Sequence, residues 1–156
     1  MVTLHTMALG ENFLEIRAFS GPGYAPLVDF SQWRVALLCF IDELLPEQLD
    51  RMQRHDQTDE VFVLLAGRCI LFLGDGREVA GTIHAVDMEP QKIYNVKRGC
   101  WHTHTLSRDA SVLIIENRDT GAVNSPTLML DRTQQSLLVD LTGRLWNKPS
   151  PSSNKP

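Results

Sequence analysis

Residues 55–67 read HDQTDEVFVLLAG, and residues 68–73 continue as RCILFL. Glu60 to Leu65 is a short run rich in β-branched, aromatic and aliphatic side chains, which reads as a strand. Gly67 interrupts the run, and Arg68–Leu73 is a second strand of the same kind, so the two form a hairpin. Gly74-Asp75-Gly76 then turns the chain again. The Asp, Gln and Thr residues between His55 and Glu60 make a turn across which an imidazole and a carboxylate converge.

The same grammar extends both ways. Upstream, Asn12–Phe19 alternates loosely before Gly21-Pro22-Gly23, and Trp33–Ile41 (WRVALLCFI) is an almost wholly apolar strand. Pro46 breaks the chain, and Asp50–His55 is a short strand of alternating character. Downstream come four more short segments, Ile83–Met88, Lys92–Val96, His102–Leu106 and Ser111–Glu116, each bounded by Gly, Pro, Asp or Ser. Many short strands with frequent turns predict an all-β sandwich or barrel and argue against βαβ units. The C-terminal part differs. DRTQQSLLVDLTGRLW (131–146) places Leu137, Leu138, Leu141 and Leu145 on one side of a helix, and Asp131 with Gln134 has capping-box spacing. One domain over residues 1–146 is expected, followed by a Pro/Ser-rich disordered tail, 147–156.

Four of the five histidines fall between His55 and His104. His102 and His104 are two apart, so on a strand they share a face. Two imidazoles and a carboxylate on one inward face would hold a divalent transition metal (iron, manganese, nickel or zinc) with open positions for water or substrate. His5 and His84 read as surface residues.

The run HDQTDEVFVLLAG resembles the first motif of the cupin superfamily, with His55, Glu60 and Gly67 at the motif's spacing. VKRGCWH (96–102) resembles the second, through Gly99 and His102, with Lys97 where the family usually has proline. The resemblance covers residues 53–117 and implies a cupin-type double-stranded β-helix, a jelly-roll barrel. It implies metal ligands at His55, Glu60 and His102. A further histidine usual in the first motif is replaced by Gln53, and an asparagine usual after the second by Leu106. Gln53 is therefore the fourth candidate ligand, with His104 as the other. Cupins include dioxygenases, isomerases, epimerases, lyases and binding modules, so fold does not select an activity.

The expected function is a metal-binding enzyme acting on a small polar carboxylate or carbonyl metabolite, with His104 as the nearest proton-transfer group. Arg51 would fork onto a substrate carboxylate, with Arg54 as the weaker candidate. Tyr94 and Trp101 are candidate stacking partners for the substrate. The alternatives are a non-catalytic small-molecule-binding barrel with a degenerate metal site, and a ureidoglycolate lyase-like activity. The 156-residue chain has a net charge of −4 without a basic patch, which speaks against nucleic acid as partner. No apolar run is long enough to span a bilayer. Three cysteines without CxxC spacing read as reduced thiols, and with no signal peptide legible the expected compartment is the cytoplasm. Cupins often pair through their sheets, so a homodimer is expected.

Overall fold

The computed structural model describes residues 12–147. Ten strands and one long helix follow in order: β1 Gly23–Phe30, β2 Trp33–Cys39, β3 Arg51–Gln53, β4 Glu60–Ala66, β5 Cys69–Gly74, β6 Ile83–Asp87, β7 Tyr94–Val96, β8 Trp101–Leu106, β9 Ser111–Asn117, β10 Thr127–Met129 and α1 Arg132–Trp146. They form two five-stranded antiparallel sheets, ordered β1-β2-β9-β4-β7 and β10-β3-β8-β5-β6. Strands from the first half of the chain sit beside strands from the second in both sheets, so the core depends on long-range pairing.

Two strands lie where the sequence pattern is silent. β1 contains Pro26, which lacks an amide donor. The strand tolerates it because β1 is a sheet edge and its register shifts between Pro26 and Val28. β10 is only three residues long and is held to β3 by pairing Thr127 with Gln53 and Met129 with Arg51. The loosely alternating stretch 12–19 forms no strand.

Apolar residues fill two layers. Between the sheets lie Leu38, Phe62, Leu64, Leu71, Leu106, Val112 and Ile114. The second layer covers the outer face of the β8-containing sheet, where Met52, Ile70, Phe72 and Trp101 meet Leu130 and Leu138. Helix α1 seals that layer. Its capping box is complete, because Asp131 accepts from the Gln134 amide at 2.8 Å and Gln134 accepts from the Asp131 amide at 3.0 Å. The buried face runs through Leu138, Leu141, Thr142 and Leu145, and Leu137 lies off it, 38% exposed. At 100° per residue Leu137 falls a quarter turn from Leu138, which corrects the sequence assignment of all four leucines to one face. At the far end, Arg68 donates to the Leu145 and Trp146 carbonyls and pairs with Asp87, satisfying acceptors that the helix terminus leaves open. Lys148 onward, which contains nearly all of the expected tail, lies outside the described residues.

Gly67 and Gly99, the two motif glycines, both have left-handed backbones, with φ of +68° and +80°. Their surroundings differ. A Cβ on Gly67 would stand 2.5 Å from the Ala110 Cα, whereas one on Gly99 would meet nothing within 4 Å. Gly99→Ala should therefore lose only the roughly 1–2 kcal/mol cost of the left-handed conformation. Gly67→Ala should lose that and a further clash term, about 3 kcal/mol or more in all. Urea denaturation of the two variants checks this, and equal losses would contradict it.

Candidate metal centre

Each side chain of the centre is set by a different element. Glu60 opens β4 and points between the sheets, in step with Phe62 and Leu64. His102 and His104 point inward from β8, while Trp101 points to the opposite face. His55 follows β3, and its carbonyl accepts from the Gly99 amide at 2.7 Å, so the two motifs are joined by a backbone bond. Asp59 reinforces that junction. Its carboxylate accepts from the Arg98 amide at 2.9 Å, from Asn95 at 3.0 Å and from Lys97. Lys97, with these amide donors, holds the Asp59 carboxyl down at about 2. The turn 56–59 between His55 and Glu60 thus also clamps the second motif, through Asp59.

His55, Glu60 and His102 are all buried, and their ligating atoms lie within 4.8 Å of one another. Glu60 Oε2 stands 3.1 Å from His55 Nε2 and 2.8 Å from His102 Nε2. The protons on the two rings follow from their other nitrogens. His102 Nδ1 lies 3.0 Å from the Cys100 carbonyl, which can only accept, so Nδ1 carries hydrogen. His55 Nδ1 lies 2.7 Å from Ser125 Oγ, whose own hydrogen goes to Asn124 Oδ1 at 3.1 Å. Asn124 is oriented by the Gly121 amide at its oxygen and the Asp119 carbonyl at its nitrogen. Ser125 therefore accepts from His55 Nδ1. As neutral rings, both imidazoles then aim Nε2 lone pairs at a carboxylate, an arrangement that calls for a cation between them. Without a metal, protons must fill that role. Burial alone would raise the Glu60 carboxyl, but the bonds from His102 and His55 hold it at about 2. Burial opposes charge on His55, and Glu60 outweighs it, raising the imidazole above its usual value. The donor set and its outer hydrogen bonds fit a divalent ion.

Beside this cluster opens a cavity of about 470 Å³, lined by His55, Glu60, Gln53 and His104 and by residues of β1, β9 and the loop 118–126. Gln53 pairs with His102 across β3 and β8, which puts it on the cluster's side of the sheet. His104 Nδ1 is buried without a hydrogen-bond partner, its ring 5.7 Å from that of Phe62. Burial pushes the His104 imidazole down to about 4, so it is neutral near pH 7.

Three expected substrate contacts lie elsewhere. Arg51 is exposed and forks onto Asp50 at 2.7 and 3.0 Å, because β3 is short and its first residue lies beyond the cavity. Trp101 has the parity opposite to His102. It packs under the helix layer, donates to the Arg77 carbonyl at 3.0 Å and carries the Arg54 guanidinium 4.7 Å above its ring. Tyr94, on the far edge strand β7, accepts from the Glu89 amide at 2.8 Å and lies outside the cavity lining. Arg54 is likewise engaged, with Trp101 and Asp56. His84 is exposed beside Asp75; His5 lies outside the described residues.

The sequence reading missed Glu116, Tyr24, Ser125 and Asn124. A signal for Glu116 was present, since Val112, Ile114 and Glu116 share the inward parity of β9 and a carboxylate is out of place on an apolar strand face. The Ser125 contact joins residues 70 apart through an irregular loop, and no periodicity reveals it.

No family model matches the chain, and no curated protein does. Solved structures do. Streptomyces PAC13 with uridine aligns over 76% of this chain and 86% of its own, at 10% identity and a TM-score of 0.51. A second structure of Pac13, described there as a nucleoside dehydratase, aligns over 76% and 87%, at 9% identity and 0.51. A cupin-2 domain containing protein from Shewanella frigidimarina aligns over 64% and 85%, at 16% identity and 0.47. Likeness at these identities bears on fold alone. With two antiparallel five-stranded sheets and both motifs converging between them, the chain has the cupin fold, an all-β jelly-roll barrel with a C-terminal helix.

Proposed function

We propose that the protein is a metal-dependent enzyme acting on a small polar metabolite that presents a carbonyl or carboxylate oxygen. The observation that carries this is the pair of Nε2 atoms at 3.1 and 2.8 Å from one Glu60 oxygen, with both Nδ1 hydrogens already given to acceptors. His55, Glu60 and His102 would hold iron, manganese, nickel or zinc, and Gln53 or His104 would complete the set. A bound divalent ion supplies Lewis acidity, polarising a substrate oxygen or activating water. The chain's own residues do the rest. The Cys100 carbonyl and Ser125 fix the ring orientations, and Phe62 and Ile114 keep the inner wall apolar. His104, a neutral imidazole in the cavity lining, would exchange a proton with the substrate. Three unpaired thiols suit the cytoplasm, and exposed Phe30 and Trp33 on the β1–β2 face suit a homodimer. No helix among the described residues is long and apolar enough to cross a membrane.

Mass spectrometry of a panel of small hydroxy and oxo compounds tests the activity. Conversion should vanish on chelation and return with the metal; conversion indifferent to chelation would contradict the proposal. Gln53→His should tighten metal binding by about tenfold or more, since imidazole is a stronger donor than an amide oxygen on the same sheet face. Chelator competition measures it, and an unchanged affinity would mean that residue 53 does not reach the ion.

A further inference from the structure

The cavity holds a second carboxylate that the metal cluster does not use. Glu116 Oε1 accepts from the Tyr24 hydroxyl, and Oε2 stands 3.8 Å from His55 Nε2. No Lys or Arg among the described residues lines the cavity. Arg118, in the loop beside the cavity, lines a separate depression with Ser31, Gln32 and Asp119, and three other nearby guanidiniums are committed elsewhere. Arg34, opposite Glu116 in the β2–β9 ladder, adjoins the Tyr24 hydroxyl and forks onto Asp29 at 2.8 and 3.1 Å. Arg51 is held by Asp50, and Arg54 by Asp56 and the face of Trp101. Apart from the neutral His104 imidazole, the remaining polar lining is hydroxyl and amide, from Gln53, Thr120, Ser125 and Thr127, set against Leu38 and Ile114.

We infer that the cavity takes an uncharged, hydroxyl-rich ligand, a sugar or sugar-like polyol, and that Glu116 selects against anionic ligands. The inference rests on the metal reading of the adjoining centre and narrows its substrate from a carbonyl or carboxylate compound to an uncharged carbonyl compound that carries hydroxyls. With a divalent ion in place, the carboxylates of Glu60 and Glu116 balance its two charges and the neutral imidazoles add none. A neutral ligand preserves that balance. An anion meets Glu116 with no guanidinium to fork onto, and a cation meets the metal. A ligand hydroxyl can instead donate to Glu116 in a charge-assisted bond, while the C–H face of a sugar ring packs on Leu38 and Ile114. The volume, about 470 Å³, is within the range of small-molecule sites.

Glucose, glucuronate and glucosamine share one ring and differ in charge, so they serve as probes of the metal-loaded protein by calorimetry or saturation-transfer NMR. Glucose should bind about tenfold more tightly than glucuronate, and Glu116→Gln should close that gap. Glu116→Asp, which keeps the charge, should retain it. The inference is overturned if glucose gives no saturable binding, if glucuronate or glucosamine binds as well as glucose, or if the gap survives in Glu116→Gln. Metal content measured on the same samples separates the two readings. A wild type without metal sinks the proposed function, while the Glu116-dependent rejection of glucuronate is still read directly.

Discussion

His102→Ala should empty the metal centre. The substitution leaves one imidazole and one carboxylate, and losing even an outer hydrogen bond to a metal ligand typically costs about 10–100-fold in affinity, so losing a ligand should cost more. Metal content after gel filtration should fall to background, and added metal should no longer raise the melting temperature. For the wild type, an ion at about a hundred times its Kd stabilises by about 2.7 kcal/mol, roughly 5–10 °C for a domain of this size. In chelator the two proteins should differ by about 1–3 kcal/mol, the cost of the lost contacts to the Cys100 carbonyl and the Glu60 carboxylate and of the cavity left behind. A variant that keeps its metal would move the site away from β8.

Phe62→Ala should produce the largest loss of stability. Phe62 is fully buried between the sheets, and its ring lies 6.1 Å from that of His102 and 5.7 Å from that of His104. Removing it deletes an aromatic side chain from close packing and leaves a void that strands paired on both sides cannot collapse to fill. The expected cost is about 3–5 kcal/mol, read by urea denaturation. Metal affinity should fall with it, because the wall that seats both imidazoles is gone. A loss below about 1.5 kcal/mol would mean that the site relaxes, and that the β4–β8 layer is less tightly packed than described.

The barrel was legible in local pattern, and the cluster of His55, Glu60 and His102 through the resemblance of two motifs to those of cupins. Apolar, β-rich runs mark β4 and β5, Gly67 marks their turn, and the motif spacing of His55, Glu60 and His102 marks the site. Parity put His102 and His104 on one face, which is the inward one, and the same parity should have excluded Trp101, which is one residue from His102 and therefore on the other face. Arg51 shares the parity of Gln53 but lies one strand step further out, where solvent and Asp50 claim it. Parity fixes a face and says nothing about depth. Tyr24 was not legible because its pairing with Glu116 spans 92 residues and depends on which strands become neighbours, whereas the inward parity of Glu116 on β9 was a local signal left unread. β1 was hidden by Pro26, whose missing donor is harmless only at an edge, a fact of topology that no window of sequence contains.

The convergence of two imidazoles on Glu60 is either a metal centre or a protonated cluster, and one measurement separates them most directly. Metal content of the purified wild type should be determined by elemental analysis, with melting temperatures recorded before chelation, after it, and after return of each divalent ion. A metal centre predicts about one ion per chain and a melting temperature that falls on chelation and recovers with the preferred ion. A chain that carries no metal, and whose melting temperature ignores every ion returned to it, would contradict the account.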